Sequence, residues 1–170
     1  MDRKTGMNNA FCKKNCSFLF KLTAMFSKAT EYALRATIFI AQKSTAQKKL
    51  GIPEIAKAID SPQSFTAKIL QTLTKNDVIS AVRGPHGGFY IADKAKKLPV
   101  RAVLQAMGED EVLEKCVLGL KKCSELQPCP MHEQYKSIKQ QLIKLFVTKT
   151  IAQLADDIKD GVIFISNKKR

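Results

Sequence analysis

A proline turn between two short amphipathic segments, followed at once by a glycine-rich hairpin, constrains the fold of this chain more than any other feature. The first segment covers about 52–60, and Pro62 bars the residue before it from continuing a helix. Ser64 is then expected to cap a second segment that ends near 75–77. Two helices joined by such a turn form the outline of a helix-turn-helix, whose second helix enters the major groove of DNA.

The hairpin that follows has the composition of a wing. Residues 78–82 and 88–92 predict two strands, and the connection at 83–88 contains three glycines, a proline and the basic Arg83. Glycine permits the backbone angles of a tight tip and a close approach to another backbone. An ordinary hairpin is the alternative, whereas a phosphate-binding P-loop is excluded because its lysine and its following helix are missing.

Further helices are predicted at about 28–43, 99–107, 133–146 and 148–158. Ser27 is a reasonable N-cap for the first of them. The long third helix begins at His132 or Glu133, and its apolar side indicates a packing partner. The last helix begins after Thr148 or Thr150.

The fold class predicted from these elements is mostly α with a small β wing, a winged helix-turn-helix domain followed by a long C-terminal dimerisation helix. A homodimer is expected because a two-fold protein reads a palindromic operator. We divide the chain into a disordered arm or upstream extension, the winged-helix domain, a linker helix with a cysteine loop, the dimerisation helices and a basic tail. These cover 1–24, 25–98, 99–132, 133–160 and 161–170.

The charge distribution favours a polyanionic partner. The net charge is +14, of which residues 25–108 carry +8, whereas 109–132 carry −2. Each phosphate that such a surface neutralises releases counterions, so double-stranded DNA fits, although a membrane surface or ribosomal RNA would satisfy charge alone. No run of 18 apolar residues and no convincing signal peptide is present, so we expect a cytoplasmic protein without a membrane partner. With two histidines and no catalytic motif, we expect no enzyme.

Three cysteines and a histidine predict a metal centre. The spacing is Cys116-x6-Cys123-x5-Cys129-x2-His132. Thiolates suit iron–sulfur clusters, zinc and copper(I), and three within so short a loop can converge at modest entropic cost. Structural zinc sites have closer cysteine pairs, so a cluster is favoured over zinc. A cluster-free thiol switch or a zinc site is the alternative.

Several segments together resemble the IscR/NsrR-type regulators, the Rrf family, over about 25–160. The resemblance is carried by residues 25–27 and 31–36, the turn and helix at 62–73, the wing Arg83-Gly84-x-x-Gly87-Gly88-Phe89, and the loop end Cys129-Pro130-Met131-His132. It implies a homodimeric winged helix-turn-helix regulator with a crossed dimerisation helix. Where the three cysteines are present, it implies a 2Fe-2S or 4Fe-4S cluster that senses redox, nitric oxide or iron–sulfur status, and we favour 2Fe-2S. Such a cluster is readily lost on purification.

The resemblance leaves two candidates for the fourth cluster ligand. His132 matches the position at which the IscR type places a histidine ligand. Other members use a carboxylate near the start of the first helix of the partner subunit, and Glu31 occupies about that position. We prefer His132, although a histidine at the start of a helix could equally be a capping residue.

Polar residues on the outward side of the second helix-turn-helix segment are the candidates for DNA contact. Gln63, Ser64 and Thr66 are expected to reach base edges, and Lys68 to meet phosphate. The full set of candidates is Gln63, Ser64, Thr66, Lys68 and Gln71 on this helix, Arg83 and His86 in the wing, and Lys28 on the first helix. Wing cations suit a narrow minor groove or the DNA backbone, and Lys28 is either a phosphate clamp or a solvated charge.

Overall fold

The computed structural model describes residues 25–120 and 124–157. It begins with three helices, of which the second and third form the helix-turn-helix. They are α1 (Lys28–Lys43), α2 (Ile52–Ile59) and α3 (Gln63–Lys75). Ser27 caps α1 as predicted, since its side chain accepts from the N–H of Thr30. The prediction that Ser64 caps α3 is wrong, because Pro62 is the N-cap and the helix begins at Gln63, two residues earlier than a Ser64 cap implies.

The wing is an antiparallel pair of strands, β1 (Ser80–Val82) and β2 (Gly88–Tyr90), in which Ala81 faces Phe89. Both strands are shorter than predicted. Leu50, just before α2, exchanges two backbone hydrogen bonds of 2.9 Å with Phe89. The α1–α2 connection therefore forms a one-residue β-bridge with β2, a contact that the sequence did not predict.

The face of α1 that carries Ala33, Ala36 and Ile40 is fully buried and forms the centre of the core. The two alanines allow neighbouring elements to approach the helix axis closely, and the hydroxyl of Thr37 is satisfied by the carbonyl of Ala33 at 2.8 Å. Apolar side chains from the other elements complete this core: Leu50, Ile55, Ile59, Ile69, Leu70, Leu73, Val78, Ile79, Ile91, Val103 and Ile151.

The C-terminal part consists of α4 (Asp93–Lys96), α5 (Arg101–Ala106), a 3₁₀ turn (Asp110–Leu113), α6 (His132–Thr148) and α7 (Ile151–Asp156). The sequence did not predict α4 or the 3₁₀ turn, which are each four residues long. Thr150 and Gln153 form a reciprocal capping box at α7, so Thr150 is the cap and Thr148 belongs to α6.

The chain returns to the core after α6. The Ile151 N–H donates to the Leu98 carbonyl at 3.0 Å, and the Val100 N–H donates to the Lys149 carbonyl at 2.9 Å. The Ile151 side chain is 1% exposed within the winged-helix core. The last helix thus belongs to the same core as the helix-turn-helix, which its position in the sequence did not reveal.

The long helix α6 leaves much of its apolar side uncovered in the single chain. Ile138, Leu145 and Val147 are exposed, and the Phe146 ring meets Phe26 edge-on at 5.6 Å between centroids. Among the described residues, no helix combines the length and the apolar character needed to cross a bilayer.

Ile151→Ala should lower the free energy of unfolding by about 2–5 kcal/mol, because it removes a fully buried side chain and leaves a cavity. Urea unfolding followed by circular dichroism measures the change. Leu126→Ala is the matched control, since Leu126 is 94% exposed and its truncation should leave the midpoint nearly unchanged. Equal midpoints for both variants would show that α7 does not belong to this core.

Candidate nucleic-acid interface and metal centre

The outer face of α3 presents four of the five side chains predicted there. Gln63, Ser64, Lys68 and Gln71 are exposed, whereas Ile69, Leu70 and Leu73 are buried against the core. Amide and hydroxyl groups can read base edges, and a lysine can neutralise a phosphate. The first two lie at the N-terminal end of α3, the end with which a recognition helix contacts bases.

Thr66 corrects the sequence prediction, because it is fully buried. Its hydroxyl donates to the Pro62 carbonyl at 3.0 Å, so it faces inward and cannot reach a base edge. The signal was present in the spacing, since Thr66 lies three, four and seven residues before Ile69, Leu70 and Leu73. These positions share one helix face.

The wing tip requires glycine at position 87. A Cβ there would lie 2.3 Å from the Val82 carbonyl oxygen, and the Gly87 N–H closes the turn on the Gly84 carbonyl at 2.9 Å. Gly84 has a φ of 113°, which side-chain-bearing residues rarely adopt. This tight tip leaves Arg83 and His86 exposed to solvent.

A solvent-open cleft separates α3 from the wing. Gln71 and Lys75 lie on the helix side of this cleft, and Arg83 lies on the wing side. Two cations on opposite walls attract an anion between them. Lys75 was not among the predicted contacts, although its position one helical turn after Gln71 could have suggested it.

The start of α1 holds a local charge cluster. Glu31 pairs with Lys28 at 2.6 Å and lies 3.8 Å from Arg35, whose guanidinium is 5.3 Å from the centroid of the Tyr32 ring. Lys28 therefore has a carboxylate partner, but it remains largely exposed. In this single chain the carboxylate of Glu31 faces cations on its own helix.

The Cys116 and Cys129 thiols lie in contact, with Cys116 only 6% exposed. The backbone N–H of Leu118 donates to the Cys116 sulfur and lowers the pKa of this thiol. Burial raises the pKa of the Cys116 thiol, whereas the N–H of Leu120, the Cys129 thiol and the charge of Lys139 lower it further. The structure thus supplies a site that favours the thiolate, which is the metal-binding form of cysteine.

His132 follows Cys129 by three residues and occupies the first position of α6. It is 5% exposed, and its backbone N–H donates to the Cys129 carbonyl at 2.9 Å. Cys123 falls outside the described residues, as do Cys12 and Cys16. Within 25–120 and 124–157, no three His, Cys, Asp or Glu side chains are close enough to hold a metal ion.

The acidic residues that precede Cys116 join the cysteine segment to the helices around it. Glu109 accepts the backbone N–H of Ser27 at 3.0 Å, at the N-terminus of α1. Arg101 on α5 pairs with Asp110 at 3.3 Å and with Glu114 at 2.8 Å. The sequence showed only that this segment is acidic, whereas the structure shows which groups its carboxylates bind.

The exposed α3 face, the glycine-restricted wing and the cationic cleft define a winged helix-turn-helix protein that binds DNA. A family model for Rrf2, described as an iron-dependent transcriptional regulator, matches residues 26–157. The chain belongs to the Rrf2 family of transcription regulators, which confirms the resemblance seen in the sequence. It is a regulator rather than an enzyme.

Individual relatives support the same assignment. A predicted HTH-type transcriptional regulator of Aquifex aeolicus is 33% identical over 132 residues, which is 76% of this chain and 90% of that protein. The B. subtilis global cysteine regulator CymR has a TM-score of 0.63 at 14% identity, over 79% of this chain and 98% of that one. T. potens IscR has a TM-score of 0.61 at 15% identity, over 84% and 94%. At such low identity, these two structures show a common fold.

Gly87→Ala should weaken DNA binding, because the added Cβ forces the wing tip apart. We expect a loss of at least about tenfold, the equivalent of one lost base contact, measured by fluorescence anisotropy on a duplex selected from a random library by the wild-type protein. Gly51→Ala is the control, since a Cβ there meets nothing closer than Pro53 at 3.6 Å. Unchanged affinity of Gly87→Ala would contradict a role for the wing tip.

Glu109→Gln should destabilise the fold at neutral pH and progressively less in acid. Burial raises the pKa of the Glu109 carboxyl, but hydrogen bonds from Ser27 and Thr30 outweigh it and lower the pKa overall. The stabilisation is therefore complete above the pKa of an unfolded glutamate, about 4.3, and disappears as the pH falls through the lower folded value. Urea unfolding of the wild type and of Glu109→Gln between pH 7 and pH 3 measures the difference between their free energies of unfolding. A difference that stays constant with pH would show that the ionised Glu109 carboxylate is not its cause.

Proposed function

We propose that this chain is a homodimeric transcription regulator that binds double-stranded DNA and senses redox, nitric oxide or iron–sulfur status through an iron–sulfur cluster. Cys116, Cys123 and Cys129 would hold the cluster, as 2Fe-2S or 4Fe-4S. The observation that carries the proposal is the contact between Cys116 and Cys129, with the N–H groups of Leu118 and Leu120 directed at the Cys116 sulfur. Such N–H donors are among the groups that tune an iron–sulfur centre.

The donor set fits such a cluster. Thiolates are its characteristic ligands, and the site lowers the pKa of the Cys116 thiol. When bound, the cluster would supply a redox-active centre. The buried position of His132 beside Cys129 supports it as the fourth ligand. Glu31 has two cations on its own helix, and its use would require it to leave them for a second subunit.

The contacts of the cysteine segment offer a route from this site to the DNA-binding surface. The Glu109 carboxylate accepts a backbone N–H at the N-terminus of α1, and Arg101 forms ion pairs with the acidic turn before Cys116. At the other end, α6 begins at His132, three residues after Cys129. A rearrangement of residues 109–132 would therefore act on α1 and α6 together, and so on the pose of α3.

The uncovered side of α6 supports a homodimer. Its 17 residues give a helix about 25 Å long, and Ile138 is 60% exposed with Leu145 and Val147 also open. A second copy would cover these side chains. The two α3 helices would then be related by a two-fold axis and read the halves of a palindromic operator.

Anaerobic purification tests the cluster directly. We expect a brown protein that absorbs visible light and contains iron and acid-labile sulfide, both lost in Cys116→Ala. Ser124→Ala is the control, because it changes a neighbouring residue that is not a proposed ligand. A colourless wild-type protein that contains zinc, or one that contains no metal after anaerobic reconstitution, would contradict the proposal and favour a zinc site or a thiol switch.

The fourth ligand is tested by two single variants. If His132 is the ligand, His132→Ala should change the visible spectrum and lower the iron content, whereas Glu31→Ala should leave both unchanged. Glu31→Ala also removes the ion pair with Lys28, so its thermal melting point is measured alongside. An unchanged spectrum in His132→Ala together with cluster loss in Glu31→Ala would overturn our preference.

A further inference from the structure

A second group of lysines lies on segments that meet beside the wing. Three segments contribute to it: the end of α1, the α1–α2 connection and α4. Its members, which we call the basal lysine cluster, are Lys43, Lys48, Lys49, Lys94, Lys96 and Lys97. None of these residues belongs to the set of DNA contacts predicted from the sequence.

The fold brings these segments together along β2. The backbone of Leu50 is hydrogen-bonded to Phe89, and a Cβ on Gly88 would lie 3.1 Å from the Cβ of Lys49. Residues 45–47 of the connection then share a small, largely polar cleft with 90–93 and Lys96. The segments that carry the lysines therefore meet beside β2, and Lys96 lines the cleft between them.

The basal lysine cluster has almost no acidic counterpart. Asp93 pairs with Lys96 at 3.2 Å. For the other five lysines, no ion pair to a carboxylate is found within the described part of the chain. Lys43, Lys48, Lys94 and Lys97 are exposed. A cluster of like charges destabilises a free protein, and an anionic partner relieves that repulsion.

We propose that the basal lysine cluster binds the phosphates of duplex DNA that flanks the segment read by α3 and the wing tip. Gly88 and the start of α4 are five residues apart, which is at most about 16 Å of extended chain at roughly 3.3 Å per residue. That distance corresponds to about four or five base pairs of duplex. The interface would thus extend along the DNA backbone beyond the wing, adding affinity that does not depend on base sequence.

This inference rests on the proposed DNA binding and is tested by comparing two duplex lengths. A duplex selected from a random library by the wild-type protein is prepared once with about ten flanking base pairs on each side and once trimmed to the selected core. Affinities are measured between 50 and 200 mM salt for the wild type and for Lys48→Gln/Lys97→Gln. Both lysines are exposed, so the variant should fold, and its melting curve checks this.

On the flanked duplex, we expect the variant to bind more weakly and to lose about 2 from the slope of log K against log salt, since each phosphate contact contributes about 0.9. On the trimmed duplex, variant and wild type should bind equally. Lys144→Gln/Lys149→Gln removes the same charge at the C-terminal end of α6 and should leave both slopes unchanged, or lower them equally on both duplexes.

Equal affinities of variant and wild type on the flanked duplex would overturn the inference and make the cluster a solvated face. An equal loss on both duplexes would overturn it too, because the lysines would then act through net charge or through the core. These outcomes leave DNA binding itself intact. Failure to enrich any duplex from the library would instead contradict the proposed function.

Discussion

The buried face of α1 is the constraint on which the rest of the structure depends. Ala33 and Ala36 leave space for the neighbouring elements to pack closely, and α2, α3, α5, α7 and β2 all contact this helix. The inward face of α3 is therefore fixed, and with it the set of side chains that α3 offers to DNA. The same packing explains why Ile151 returns to this core after the long excursion through α6.

The acidic segment has a structural role that its charge alone does not indicate. In a strongly basic chain, five carboxylates between 109 and 132 would simply reduce the repulsion. Instead, Glu109 satisfies a backbone N–H at the first turn of α1, and Arg101 lies between Asp110 and Glu114. The cysteine segment is thereby bonded to helices that contact α3, and these contacts are the physical basis of the coupling that we propose between the two sites.

The sequence predicted the order and type of the main elements because they depend on local signals: proline and glycine at the turns, and apolar residues at helical spacing. It did not predict contacts between distant segments, such as the pairing of Leu50 with Phe89 or the packing of Ile151. A polar residue on a helix usually faces solvent, but the hydroxyl of Thr66 donates to the Pro62 carbonyl and the residue faces inward, which its residue type does not reveal. The wing and most of the α3 face followed from the sequence, whereas the carboxylate contacts of Glu109 and Arg101 required the fold.

The central claim is that the state of the cysteine site changes DNA binding. It is tested most directly by measuring the affinity of one protein preparation for one selected duplex, before and after anaerobic reconstitution with iron and sulfide. We predict a change of about fivefold or more, the lower range of measured coupling between two sites. Cys116→Ala, treated identically, should show no such change. Equal affinities of the wild-type protein in the two states, with iron and sulfide shown to be bound, would contradict the account.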